Sequence, residues 1–141
     1  MIVLDSSMTL SWFFEDERTE AGLALLLRIP STGALVPSLW KVEVANALAT
    51  AVRRGRCTPD LVEATLSRLE RMRIRIDDAT TVHAWGATRA LAAAHGLTIY
   101  DATYLEVAVR GRLPLATCDR RLAAAGHACG LAVVDGTRSP G

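Results

Sequence analysis

Lysine is almost missing from this chain: Lys41 is the only one among 141 residues, so nearly all of the positive charge is arginine. Histidine is scarce as well, with three residues, and the three cysteines, Cys57, Cys118 and Cys129, are an odd number without metal-finger spacing. That pattern argues against a disulfide framework and against zinc. No apolar run approaches the roughly 18 residues of a membrane helix, and no basic N-terminal region leads into a long apolar stretch. The expectation is a cytoplasmic protein with no membrane association and no signal peptide. A net charge of +1 excludes a polycation, so any affinity for phosphate must be local. Arg53, Arg54 and Arg56 surround Gly55; Arg71, Arg73 and Arg75 alternate; Arg110 and Arg112 flank Gly111; Arg120 and Arg121 follow Asp119. The arginine fork holds two phosphate oxygens at once. A solvated surface explains any one cluster equally well, and Arg120 and Arg121 stand out for their place beside an aspartate.

What remains is an apolar content of 50% in a length that suits one domain. Short apolar segments at 1–4, 34–36, 113–116 and 131–134 read as buried strands, and Ile74–Ile76, alternating with arginine, as an edge strand. Helices are predicted between them. The first runs from Ser6 to Glu15 with Ser6 or Ser7 as its cap, and the second from Thr19 to Ile29, broken by Pro30–Gly33. Ser38 caps a third helix that Gly55 ends, and Thr58 and Asp60 start a fourth. One long alanine-rich helix follows over Asp77–His95, then Asp101–Arg110, and finally one from Asp119 to Ala125. Alternation of this kind predicts an α/β fold: a short parallel sheet with helices on both faces, three layers in all. The domain is expected to span 1–135, with 136–141 as a flexible tail.

Four acidic residues sit at the ends of apolar runs or at helix starts: Asp5, Glu43, Asp101 and Asp119. A parallel sheet gathers such positions in the crevice beyond its strand ends. Each has a plainer role on its own, as a helix cap or a charge favoured by the helix dipole. Together they would repel one another unless a cation or a partner's arginine intervened. The set therefore reads as a hard-metal site of oxygen ligands. Thr117, two residues before Asp119, adds a hydroxyl, and Asn46 shares a helix face with Glu43. Tyr104, on the face of Asp101, reads as core. Other acidic-pocket classes fit less well. A receiver-like domain wants a second acid beside Asp5 and a late lysine, and a dehalogenase-type phosphatase wants an aspartate where Ser7 stands.

The order and context of the four acids resemble the PIN-domain ribonucleases, and in particular the VapC-type toxins of toxin–antitoxin pairs. The resemblance rests on Val3-Leu4-Asp5-Ser6-Ser7, on the segment from Pro37 to Leu48 with Glu43 and Asn46, on Tyr100-Asp101-Ala102-Thr103-Tyr104, and on Leu115-Ala116-Thr117-Cys118-Asp119-Arg120-Arg121-Leu122. It implies a PIN-like fold and a metal-dependent endoribonuclease, with Asp5, Glu43, Asp101 and Asp119 as both catalytic and metal-binding groups for Mg²⁺ or Mn²⁺. It also implies supporting roles for Ser6, Asn46 and Thr117. The substrate would be RNA, transfer RNA or ribosomal RNA, with Arg120 and Arg121 as candidate contacts. A cognate antitoxin would neutralise the enzyme, an arginine of it entering the acidic pocket, and a homodimer is expected. The consecutive Trp12, Phe13 and Phe14 read either as ordinary packing, with two buried and one exposed, or as a groove for the antitoxin's amphipathic segment. Where many relatives carry a further acid or asparagine after the last aspartate, this chain has Arg120, Arg121 and Leu122, which weakens the case for a second metal ion. The alternative from a different class is a non-catalytic PIN-type module that binds RNA or protein.

Overall fold

The computed structural model describes residues 1–138. Five three-residue strands form one wholly parallel sheet: β1 (Ile2–Leu4), β2 (Ala34–Val36), β3 (Ile74–Ile76), β4 (Leu115–Thr117) and β5 (Val133–Asp135), in the order β3-β2-β1-β4-β5. The helices between them are α1 (Ser6–Ser11), α2 (Glu20–Thr32), α3 (Trp40–Arg53), α4 (Pro59–Glu70), α5 (Thr80–His83), α6 (Ala87–His95), α7 (Ile99–Gly111) and α8 (Arg120–Ala128). Parallel strands need crossovers, and right-handed crossovers put α1–α4 on one face of this order and α5–α8 on the other. The α/β, three-layer expectation is met. Among the described residues no helix is long and apolar enough to cross a membrane.

β1, β2 and β4 are buried along their whole length, which explains their unbroken apolar sequence. Val3, Leu4, Val36 and Leu115 from the strands meet Met8, Leu25, Leu48, Tyr104, Leu105 and Leu122 from the helices in one core. The two large indoles that enter it have partners for their N–H groups: Trp12 donates to the Gly22 carbonyl at 2.8 Å and Trp40 to Thr9 Oγ1 at 3.1 Å.

Several expectations need correction. The first helix ends at Ser11 and not at Glu15, and Ser38 does not cap α3, whose N-cap position is Leu39. The long helix over Asp77–His95 is two helices. Gly86, with φ −110° and ψ −102°, stands outside helical conformation between α5 and α6, and Asp77 is drawn instead into an ion pair with Arg110 on α7. α2 does not stop at Pro30 but runs through it to Thr32. Proline lacks the N–H that would bond the Leu26 carbonyl, and the helix loses that one bond and continues; Gly33, at φ 70°, closes it. α8 continues past Ala125 to Ala128 and takes in His127. Of the expected tail, 139–141 lie outside the described residues. The Gly136 N–H donates to the Thr117 carbonyl at 2.8 Å, holding the chain against the end of β4.

Candidate active site

Chain order reverses direction between β1 and β4, since β2 and β3 lie on one side and β5 on the other. In a parallel sheet this switch point opens a crevice at the carboxyl ends of the strands. Asp5 follows the last residue of β1, and Thr117 ends β4 with Asp119 two residues on. Glu43 lies in the first turn of α3 and Asp101 in the first turn of α7, so the two helices bring one acid from each face of the sheet.

The local capping chemistry explains which carboxylates are free. Asp5 occupies the N-cap position of α1 but makes no capping hydrogen bond. Ser6 and Ser7, expected as caps, lie inside the helix. Thr98 caps α7 by accepting from the Asp101 N–H at 3.1 Å, which releases the Asp101 side chain from that task. Asp119 is a true cap: its Oδ1 accepts from the Leu122 N–H at 2.9 Å.

Asp5 is the most constrained of the four and is buried. Its Oδ2 accepts from Ser7 Oγ at 2.5 Å and from Thr117 Oγ1 at 2.7 Å. Each of those hydroxyls is itself anchored from the β4–α8 corner, Ser7 Oγ by the Cys118 N–H at 3.0 Å and Thr117 Oγ1 by the Asp119 N–H at 2.9 Å. Two N–H···O–H···O chains thus converge on one carboxylate oxygen, and such chains strengthen each member. Ser6 Oγ stands 3.5 Å from Asp5 Oδ1, a long contact. On α7, the Tyr104 hydroxyl donates to Glu43 Oε1 while its ring is fully buried. Tyr104 is therefore core, as expected, and also reaches the crevice.

Electrostatically the four acids are one group. Burial pushes Asp5 up to about 6, against the hydrogen bonds from Ser7 and Thr117 that lower it, and the charges of Asp101 and Glu43 raise it further. Burial also raises Glu43, opposed by its Tyr104 hydrogen bond and supported by the charge of Asp101. Asp101 rises from burial and from the charge of Asp119, with Thr98 working the other way. A buried carboxylate among half-buried like charges is costly unless something positive is supplied. The ion pairs of the structure lie elsewhere: Arg56 holds Asp16 and Glu17, and Arg110 holds Asp77 and Glu106. Among the described residues, no lysine, arginine or histidine pairs with any of the four acids.

The donor set is all oxygen, with no thiol or imidazole contact, and such a set suits a hard divalent cation. Among the described residues no three acidic, histidine or cysteine side chains already converge on one ligation point. Like charges hold apart, and one oxygen each of Asp5, Glu43 and Asp119 is already engaged. Mg²⁺-type sites use few protein ligands and keep several waters, so a sparse set of free oxygens still fits such an ion.

The remaining candidates divide. Thr117 makes the contact to Asp5 described above. Asn46 is exposed and bonds none of the four acids. The Arg120 guanidinium donates to the Arg138 carbonyl at 2.6 Å, and Arg121 is exposed one residue beyond. The family resemblance placed one supporting hydroxyl at Ser6, and the shorter contact comes from Ser7. Only the turn geometry after β1 decides between neighbouring serines. Cys118 lies at the corner, and burial pushes its thiol up, away from the reactive thiolate. His95 is turned toward Cys129, its Nε2 at 3.5 Å from the sulfur, at the opposite end of α8 from Asp119.

The PIN domain model matches residues 2–128. Ribonuclease VapC3 of Pyrobaculum aerophilum is 31% identical over 126 residues, covering 86% of this chain and 92% of that protein. Two solved structures share the fold. FitAcB from Neisseria gonorrhoeae has a TM-score of 0.63 at 21% identity, covering 96% of this chain and 98% of that one. VapBC2 from Rickettsia felis, bound to a DNA fragment from their promoter, has a TM-score of 0.65 at 15% identity, covering 94% of this chain and 97% of that one.

Proposed function

The chain belongs to the PIN-domain family, and from that premise we propose that it is a divalent-metal-dependent endoribonuclease, the toxin of a toxin–antitoxin pair. The observation that carries the proposal is the set of four carboxylates at the switch point, with no cationic side chain among the described residues paired to any of them. The name of the VapC3 relative supports the ribonuclease class.

The reaction is hydrolysis of an RNA phosphodiester by in-line attack of water on phosphorus, breaking the bond to the 3′ oxygen. Asp5, Glu43, Asp101 and Asp119 would hold Mg²⁺ or Mn²⁺. The bound cation would lower the pKa of water and screen charge growing on the phosphate. Ser7 and Thr117 keep Asp5 in one orientation, and Tyr104 does the same for Glu43, so the crevice is organised before substrate arrives. Among the described residues no histidine contacts the four acids, which leaves proton handling to the carboxylates. Arginines at the rim, Arg120 and Arg121 first, would position the RNA backbone.

The protein partner of this reading is an antitoxin that supplies positive charge to the crevice, and the expected assembly is a homodimer. Transfer RNA and ribosomal RNA are the substrates to try first. Mapping the ends of the products tests the chemistry: 5′-phosphate and 3′-hydroxyl termini are expected. Cyclic 2′,3′-phosphate ends would show attack by the ribose hydroxyl and overturn the mechanism.

A further inference from the structure

The hydroxyl groups around Asp5 and Glu43 do more than hold two side chains still. A carboxylate oxygen offers about two lone-pair positions. At Asp5 Oδ2 both are taken, by Ser7 Oγ at 2.5 Å and Thr117 Oγ1 at 2.7 Å. Neither donor can swing away cheaply, because each hydroxyl accepts a backbone N–H from Cys118 or Asp119 and so has its proton aimed at Asp5. Breaking either bond would strand a polar group in a buried corner. On the opposite face of the crevice, Tyr104 is a fully buried ring whose hydroxyl is committed to Glu43 Oε1. A rigid two-torsion side chain holds that bond at little entropic cost.

Each of these carboxylates therefore has one oxygen engaged by close protein donors and the other without a short hydrogen bond, Ser6 Oγ standing 3.5 Å from Asp5 Oδ1. Divalent cations differ in what they ask of a carboxylate. Ca²⁺ takes six to eight oxygens and often uses both oxygens of one carboxylate. Mg²⁺ takes six, demands regular geometry, and keeps much of its water. We propose that Ser7, Thr117 and Tyr104 are selectivity residues: by occupying one oxygen of Asp5 and one of Glu43, they bias the crevice toward a small hydrated ion and against Ca²⁺. The inference rests on the metal-site reading above and goes beyond it by assigning ion choice to three hydroxyls that are not ligands.

The test is calorimetric titration of the purified chain with Mg²⁺, Mn²⁺ and Ca²⁺ in the absence of RNA. The wild type is compared with Tyr104→Phe and Ser7→Ala. Tyr104→Phe keeps the ring and frees Glu43 Oε1; Ser7→Ala frees a position on Asp5 Oδ2. Melting curves identify any variant that has lost its fold, and the other then carries the test. The expected result is a rise of about tenfold in Ca²⁺ affinity relative to Mg²⁺, the scale of one charge-assisted hydrogen bond. A ratio that stays at the wild-type value, including the case where both ions weaken equally, overturns the selectivity role and leaves simple positioning. Failure of the wild type to bind any of the three ions would sink the metal-site reading itself, and this inference with it.

Discussion

Replacing Asp5 with asparagine is expected to cut RNA cleavage about a thousandfold while raising the melting temperature of the same protein. The two effects share one cause. Asp5 is buried, and burial with the neighbouring Asp101 and Glu43 charges lifts its pKa from the ordinary 3.8 to about 6. At about 1.4 kcal/mol per pKa unit, keeping this carboxylate charged at neutral pH costs the folded state about 3 kcal/mol. Asparagine carries no such charge. Its amide oxygen can take the place of Oδ2 and accept from Ser7 and Thr117, and its NH₂ group then faces the other acids. Without added metal, the variant should melt roughly 5–10 °C higher than the wild type at pH 7 to 8. The sign of the pH dependence follows from the raised pKa. The penalty is absent below the unfolded value of 3.8, where aspartate is neutral in both states, and is complete above about 6. The advantage of the variant should therefore vanish near pH 4. Activity should fall about a thousandfold, the upper end for loss of one transition-state electrostatic group. Thermal melts across pH, run beside cleavage assays, check both halves. A variant less stable than the wild type at pH 8 would contradict the charge-repulsion account.

Loss of Arg110 should have the largest effect on folding. Its guanidinium forks onto Asp77, with Nη1 to Oδ1 at 3.0 Å and Nη2 to Oδ2 at 2.8 Å, while Nε reaches Glu106 Oε2 at 3.0 Å. Both acids are buried, with side-chain exposures of 6% for Asp77 and 4% for Glu106. Thr80 adds a hydrogen bond to Asp77 at 2.8 Å. Arg110→Met would strand two carboxylates in the interior and should cost about 3–5 kcal/mol, a large part of the stability of a small domain. Adding Asp77→Asn and Glu106→Gln should recover much of the loss. Lysine should not substitute well, since it cannot make the two-pronged contact. The Arg110 hydrogen bonds hold Asp77 below the usual carboxylate range, against the opposing effect of burial. A depressed pKa gives stability that is present above the ordinary value and lost as pH falls through the folded one, the reverse of Asp5. Urea unfolding of the single and triple variants decides this. An Arg110→Met variant within about 1 kcal/mol of the wild type would contradict the assigned role.

The strands, and the placement of the acids at strand and helix ends, were legible because each carries a local signal. A run such as Met1–Leu4 can only be a buried strand in a chain this short, and the polar residue that follows it must sit at the strand end. Asp101 was harder, since an aspartate at a helix start is usually a cap; Thr98, three residues earlier, takes that job and leaves the carboxylate free. What could not be read is tertiary. Nothing local reveals that Asp77 pairs with Arg110 across 33 residues, so alanine-rich 87–94 made one helix of two. Pro30 was over-read as a stop: it removes one backbone bond from a helix already formed on its N-terminal side, and the helix continues to Thr32. Tyr104 looked like core by its spacing and is core; its contact with Glu43 joins residues 61 apart.

The most direct measurement is cleavage of total RNA by the purified, antitoxin-free chain with Mg²⁺ or Mn²⁺, run beside an EDTA control and the Asp101→Asn variant. Cleavage in the metal-supplied wild type that disappears in both controls is the predicted result. Cleavage that survives EDTA and the loss of Asp101 would contradict a metal-dependent nuclease centred on these four carboxylates.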